Sequence, residues 1–74
     1  MSSTHRIILV SPLADGWAVI CAGLEPLVFR SGARAEAQAK RLAACLAKLG
    51  RAVQVRIFDR SRNLVGARLY PAIA

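Results

Sequence analysis

The chain consists of short aliphatic runs broken by turn residues, and one longer segment has helical periodicity. Between residues 31 and 50 apolar side chains recur every three to four positions, with Ser31 and Gly50 where an N-cap and a C-terminal glycine are expected. This pattern predicts one amphipathic helix. Its predicted core-facing side carries Ala35, Ala39, Leu42, Leu46 and Leu49, with Ala43 beside them.

Five other segments are rich in β-branched and aliphatic residues and are bounded by Gly, Pro, Asn or Asp. The predicted strands cover residues 6–10, 17–22, 27–30, 53–58 and 64–70. The first strand is expected to end at Ser11-Pro12, because proline removes a ladder donor. Gly16 is expected to supply a positive φ in the first hairpin turn, and Asn63 in the last.

The order of these elements is β-β-β-α-β-β, which predicts an α+β fold: an antiparallel sheet with the helix packed on one face. A chain of 74 residues has room for one domain, so residues 1–74 are expected to form a single unit with an ordered core over about 5–70.

Both faces of the first two strands are apolar. Residues 7–10 are all aliphatic, and residues 17–22 carry no charged or amide side chain. A sheet with one wet face normally alternates apolar and polar residues, and a single helix covers only one face. We therefore predict a symmetric homodimer, packed either through the uncovered sheet face or by pairing of edge strands. The residues predicted to form that interface are Ile8, Val10, Ile20 and Phe58.

Alanine also fills much of the helix surface away from the predicted core-facing side. Two interpretations remain open. Alanine is the strongest helix former, so it needs no further reason there. Alternatively, the small side chains allow a second helix to approach closely across a dimer axis.

Positive charge is concentrated in the second half of the chain. Residues 1–33 carry two basic and two acidic side chains, so the net charge of +7 falls on residues 34–74. This asymmetry is typical of proteins with a polyanionic partner, although ordinary solubilising charge gives the same excess. The candidate nucleic-acid-binding residues are Arg34, Arg41, Lys48, Arg56, Arg60, Arg62 and Arg68.

Catalytic and cofactor chemistry is not indicated. One histidine, four carboxylates and glycines that occur singly at turns provide no nucleophile–base pair and no phosphate loop. His5, Cys21 and Cys45 lack the paired spacing of a metal site. We therefore expect no enzyme activity, no cofactor, no metal and no small-molecule substrate.

The apolar runs are too short for a signal peptide or a membrane span, which favours a cytoplasmic protein with free thiols.

Several short motifs resemble one known family. They are Gly16-Trp17-Ala18-Val19, Phe29 with Ser31, Ala35-Glu36-Ala37, Ala43-Ala44, and Val53-Gln54-Val55 leading to Asp59. In this pattern the chain is similar to the small bacterial domain-of-unknown-function family numbered 2188, over about residues 5–70. That family usually turns its last hairpin with an acidic residue and glycine, whereas this chain has Arg60-Ser61-Arg62-Asn63. The resemblance implies an architecture and no catalytic residue.

Two functional hypotheses follow. The first is a non-enzymatic accessory module that binds a polyanion, above all RNA or DNA, through its C-terminal basic surface. The second is a protein-interaction or assembly module, a homodimer or a subunit of a larger complex, whose apolar sheet face docks a partner while the arginines serve solubility. Under the first hypothesis, an acidic protein is the alternative polyanionic partner.

Overall fold

The computed structural model describes residues 6–73. These residues form five strands and one helix in the order β-β-β-α-β-β, which confirms the predicted α+β class. The elements are β1 Arg6–Leu13, β2 Gly16–Cys21, β3 Leu27–Phe29, α1 Gly32–Lys48, β4 Val53–Phe58 and β5 Leu64–Tyr70.

The strands form one mixed sheet with the spatial order β3-β2-β1-β4-β5. Neighbouring strands pair antiparallel except β1 and β4, which pair parallel from Arg6↔Val53 to Val10↔Ile57. The expectation of a wholly antiparallel sheet is therefore wrong for this central pair. The reason is that α1 returns the chain to the end of the sheet where β3 began, so β4 repeats the direction of β3 and β1.

The β1–β2 hairpin is longer than the sequence predicts, because β1 continues through Pro12 to Leu13. The pair beside the two-residue turn, Leu13 and Gly16, is the hydrogen-bonded kind, so the next pair, Pro12 and Trp17, is not. On its other side β1 pairs with β4 only as far as Val10. Pro12 therefore interrupts no ladder hydrogen bond, which is why it does not end the strand.

Gly16 is required for space and not for a left-handed backbone. Among the described glycines, positive φ values occur at Gly23 and Gly50, both at 85°, and Gly16 is not one of them. A Cβ atom at Gly16 would collide with the backbone carbonyl oxygen of Phe29 on β3. The close approach of these two backbones explains the glycine and corrects the expectation from turn geometry.

Both predicted ends of the helix are confirmed. The Ser31 side chain accepts a hydrogen bond from the backbone N–H of Arg34 at 3.3 Å. After the helix, the amides of Gly50 and the next residue donate to carbonyls in the last helical turn, each at 3.0 Å. With the positive φ of Gly50, these two bonds make a Schellman motif.

The helix meets the sheet through small side chains. This row consists of Ala35, Ala39, Ala43 and Ala47. Leu42 and Leu46 pack beside the row and are half-buried, whereas Leu49 is 70% exposed. The prediction was thus wrong in placing Leu49 on the core-facing side and Ala47 outside it. Methyl side chains four residues apart let the helix backbone lie close to the strands, which leaves the leucines to fill the flanks.

The core lies between this alanine row and one face of the sheet. It contains Ile8 and Val10 from β1, Val19 and Cys21 from β2, and Val53 and Val55 from β4. Ile8 and Val10 are both 0% exposed. Their prediction as interface residues is therefore corrected: the register pairs Ile8 with Val55 and Val10 with Ile57, and this puts them on the helix-covered face.

Candidate nucleic-acid interface and open sheet face

Three of the predicted basic residues form a row on the outer surface of α1. Arg34, Arg41 and Lys48 are seven residues apart and all exposed. At 3.6 residues per turn this row lies about half a turn around the helix from the buried alanines, so it points away from the sheet. The core-facing side expected from the sequence would put this row on a flank of the helix instead, because that side includes Leu49 and omits Ala47.

A fourth predicted residue, Arg68 on β5, lies on the same side of the sheet as the helix. Together with Lys40 it lines a shallow cleft of about 200 Å³ between α1 and β5. The Arg68 guanidinium carbon lies 4.9 Å from the centroid of the Tyr70 ring, and this stacking holds the side chain against the sheet edge.

We call these five cations the helix-side basic surface: Arg34, Lys40, Arg41, Lys48 and Arg68. Sequence reasoning missed Lys40. Its position next to Arg41 in the sequence could have indicated it, because that position lies on the exposed part of the helix.

The other three predicted basic residues lie on β4 and at the tip of the last hairpin, and Arg62 at that tip lines a depression with Leu9 and Ser11 of the sheet face opposite the helix. The Arg56 side chain is on the face of the sheet opposite the helix, where its Nε donates to Gln54 Oε1 at 2.8 Å. The Arg60 guanidinium carbon lies 4.8 Å from the centroid of the Trp17 ring, and its Nη1 donates to the carbonyl of Leu13. The predicted C-terminal basic surface is therefore divided between two sides of the molecule.

The last hairpin tip is held by Asp59. Its Oδ1 accepts from the backbone amides of Ser61 and Asn63 at 2.8 and 3.0 Å. The residue in the left-handed region is Arg62, with φ 63°, which corrects the prediction for Asn63. Because the Asp59 carboxylate accepts hydrogen bonds from the amides of Ser61 and Asn63, the residue between them adopts the left-handed conformation.

Positive charge on the helix side is largely uncompensated by carboxylates. Within residues 6–73 the one ion pair joins Lys40 Nζ to Glu36 Oε1 at 3.9 Å, and both side chains are about half exposed. Asp59 is engaged by amides of its own turn. The outward row of Arg34, Arg41 and Lys48 therefore faces solvent with its donors available.

The sheet face opposite the helix is apolar and has no element of the described chain over it. We call it the open face. By the strand register its side chains are Ile7, Leu9, Ser11, Ala18, Ile20, Val28, Gln54, Arg56, Phe58, Leu64, Ala67 and Leu69.

Exposure on the open face is uneven: it is 38% at Ile7, 37% at Ile20, 68% at Val28 and 51% at Leu69, whereas Ala18 is 3% exposed and Leu9 and Phe58 are half-buried. Two of the four predicted interface residues, Ile20 and Phe58, lie here. The two that sequence reasoning missed on β1 are Ile7 and Leu9, the alternate partners of Ile8 and Val10.

The remaining candidate chemistry was also located. Cys21 is buried and Cys45 exposed, and both are free thiols. His5 lies outside the described residues. Across residues 6–73, no three His, Cys, Asp or Glu side chains come together as a metal-binding group. In the same range, no helix has both the length and the apolarity needed to cross a lipid bilayer.

Comparison of the chain with protein-family models, with curated proteins and with solved structures finds no match. The resemblance to family 2188 therefore stays a prediction, and it assigns no role to any residue.

Proposed function

We propose that this chain is a non-enzymatic accessory module that binds double-stranded nucleic acid through the phosphates, using its helix-side basic surface. The observation that carries the proposal is the outward row of Arg34, Arg41 and Lys48, which is exposed, has no carboxylate partner among residues 6–73 and is fixed on a helix of 17 residues. Exposed cations of this kind release counterions when they neutralise phosphates, which drives binding to nucleic acid.

The length of the row suits a duplex. Seven residues of helix advance about 10.5 Å, so the row from Arg34 to Lys48 is about 21 Å long. At 3.4 Å per base pair, a duplex presents about six base pairs over that length. The helix fixes the backbone positions of the row and the duplex fixes its phosphates, so binding has to order only the side chains, whereas a single strand has to be ordered as well.

Base stacking contributes little to this mode of binding. The four aromatic side chains, Trp17, Phe29, Phe58 and Tyr70, are all half-buried. Trp17 and Tyr70 are further covered by Arg60 and Arg68. Without an exposed aromatic platform, recognition depends on charge and on the shape of the backbone, so sequence preference is expected to be weak.

A paired set of variants tests the location of the site. The double variant Arg34→Gln with Arg41→Gln removes two positive charges from the helix-side basic surface. The control, Arg56→Gln with Arg62→Gln, removes the same number of positive charges from the opposite side of the sheet. Because each phosphate contact contributes about 0.9 to the slope of log K against log salt, the first variant is expected to flatten that slope by about 1.8. Fluorescence anisotropy with a labelled 20-base-pair duplex measures the slope for both double variants.

The control variant is expected to keep the wild-type slope. Glutamine has nearly the helix propensity of arginine, so loss of helix does not explain an effect of the first variant. Equal losses in the two variants would mean that net charge alone drives binding, and a loss confined to the second would move the site to the open face. Either result contradicts the proposal.

A protein-assembly role is the second candidate. The observation that favours it is the open face, where side chains such as Ile20 and Leu69 remain 37% and 51% exposed. The two roles use opposite sides of the sheet and do not exclude each other.

A further inference from the structure

We infer that a second copy of this chain covers the open face, in a two-fold dimer whose sheets pack face to face. The inference goes beyond the proposed nucleic-acid binding, because it concerns the opposite side of the sheet. Its starting point is a five-stranded sheet with one face buried under α1 and the other lined by Ile7, Leu9 and Ile20. Sheets with two apolar faces are normally covered on both.

The size of the open face is sufficient for a weak dimer. Strands about 4.8 Å apart with about six residues each give a face of about 20 Å by 20 Å, roughly 400 Å² in projection. Protruding side chains add to this projection, so two copies bury on the order of 1,000 Å², the lower end of specific interfaces. A patch of this size lies within the range of about 300–600 Å² for the largest apolar patch of a typical monomer, and such patches are often functional.

Charge decides how the two copies are arranged. Arg56 is the one charged side chain in the middle of the open face, and it lies on β4, one strand away from the central β1. A two-fold axis parallel to β1 puts β4 of one copy over β2 of the other. The two Arg56 residues are then at least about 10 Å apart, two strand spacings. An axis perpendicular to the strands would stack β4 on β4 and bring the guanidinium groups together.

The same axis matches large side chains with small ones. In the register, Ser11 pairs with Ala18 on β2, and Phe58 on β4 follows the pair Val10↔Ile57, so Phe58 and Ala18 flank β1 at one level. With the axis along β1, Phe58 of each copy therefore lies opposite Ala18 of the other.

A shallow depression of about 200 Å³ lies beside this position. Its lining residues are Leu9, Ser11, Phe58 and Arg62. It offers room for a side chain of the facing sheet, as close packing of two sheets requires.

Solution mass tests the inference. At about 100 μM, light scattering is expected to give twice the 7.9 kDa of one chain. Ile20→Lys places a charge in the interface and is expected to give a folded monomer, with the far-ultraviolet circular dichroism of the wild type. The matched control is Leu49→Lys, the same kind of change at a 70% exposed leucine beyond the helix end, which is expected to stay dimeric. A monomeric wild type, or a dimer that survives Ile20→Lys, overturns the inference.

A distance between labels keeps the test decisive if Ile20→Lys fails to fold. Cys45 is exposed on the outer part of the helix and Cys21 is buried, so a spin label attaches at Cys45 alone in the native protein. In the face-to-face dimer the two helices lie on opposite outer sides. The labels are therefore more than about 30 Å apart, because the spacing between the two sheets and the thickness of a helix layer on each side separate them. A helix-to-helix dimer brings them within about 20 Å, and that result also overturns the inference.

The dimer and the nucleic-acid binding can be contradicted independently of each other. Loss of the dimer leaves the helix-side basic surface intact, because Ile20 lies on the other side of the sheet. Removal of charge from Arg34 and Arg41 leaves the open face intact, whereas the charge control Arg56→Gln with Arg62→Gln alters it, so the solution mass of that control is measured together with its salt slope.

Discussion

Ala43→Asp is expected to leave the chain largely unfolded at neutral pH. Ala43 is 0% exposed in the middle of the alanine row, between the helix and the sheet. A carboxylate there is buried with no cation beside it, which costs several kcal/mol, and the longer side chain also pushes the helix off the strands. A domain of this length has a total stability of roughly 4–11 kcal/mol. Far-ultraviolet circular dichroism and thermal melting measure the loss.

Ala37→Asp is the matched control for that prediction. Ala37 is on the same helix and exposed. The substitution has the same helix-propensity cost of roughly 0.6 kcal/mol, partly offset by an i,i+4 attraction to Arg41. This variant is expected to fold, with a melting temperature within a few degrees of the wild type. If the two variants melt alike, the helix does not pack on the sheet through its alanine row.

Gly16→Ala is expected to destabilise the fold by about 1–3 kcal/mol although it adds a single methyl group. The new Cβ atom would collide with the carbonyl oxygen of Phe29, and neither backbone is free to move because Trp17 pairs with Phe29 in the sheet. The expected result is a lower urea midpoint with an unchanged m-value.

Gly66→Ala serves as its control. A Cβ atom at Gly66 would meet Ile57 side-chain atoms at 3.7 Å, an ordinary contact. Because alanine restricts the unfolded chain more than glycine, this variant is expected to be as stable as the wild type or up to about 1 kcal/mol more stable. Equal destabilisation of the two variants would mean that loss of glycine flexibility, and not the contact with Phe29, is responsible.

Local features of the fold were predictable from the sequence. The helix and its caps at Ser31 and Gly50 depend on bonds within a few residues, and both are confirmed. The β4 strand, Val53–Phe58, also matches its prediction, since its alternation of apolar and polar side chains is clear. These signals require no knowledge of which elements become neighbours.

The face of β1 was not predictable in the same way. Residues 7–10 are all aliphatic, so the composition does not distinguish the face that holds Ile8 and Val10 from the face that holds Ile7 and Leu9. The choice depends on pairing with β4, whose apolar side points to the helix. A one-residue change of register reverses every side chain, so this long-range pairing decides which residues are exposed.

The division of the basic residues between two faces of the sheet was predictable from the sequence. Arg56 alternates with Val55 and Ile57 along β4, and those two residues belong on the face that the helix covers. Arg56 therefore had to lie on the opposite face from the helix cations. The stacking of Arg68 on the Tyr70 ring, by contrast, was not predictable from the sequence, because it depends on the conformations of the two side chains.

The proposed dimer has a consequence for binding. Because the sheets meet in the middle, the two helix-side basic surfaces point in opposite directions. Such a dimer presents two phosphate-binding rows of about 21 Å each on its two outer sides. Two duplex segments are then held at once, a geometry suited to bridging or compacting nucleic acid.

The salt dependence of duplex binding by the wild-type protein shows whether the helix-side basic surface binds phosphates. If the five cations of the helix-side basic surface each contact a phosphate, log K plotted against log salt concentration is expected to have a slope of about −4.5 for duplex DNA. Anisotropy titrations between 50 and 300 mM salt determine this slope. A value near −4.5 is the predicted result, and a slope shallower than about −1, or no binding at 50 mM salt, would contradict the account.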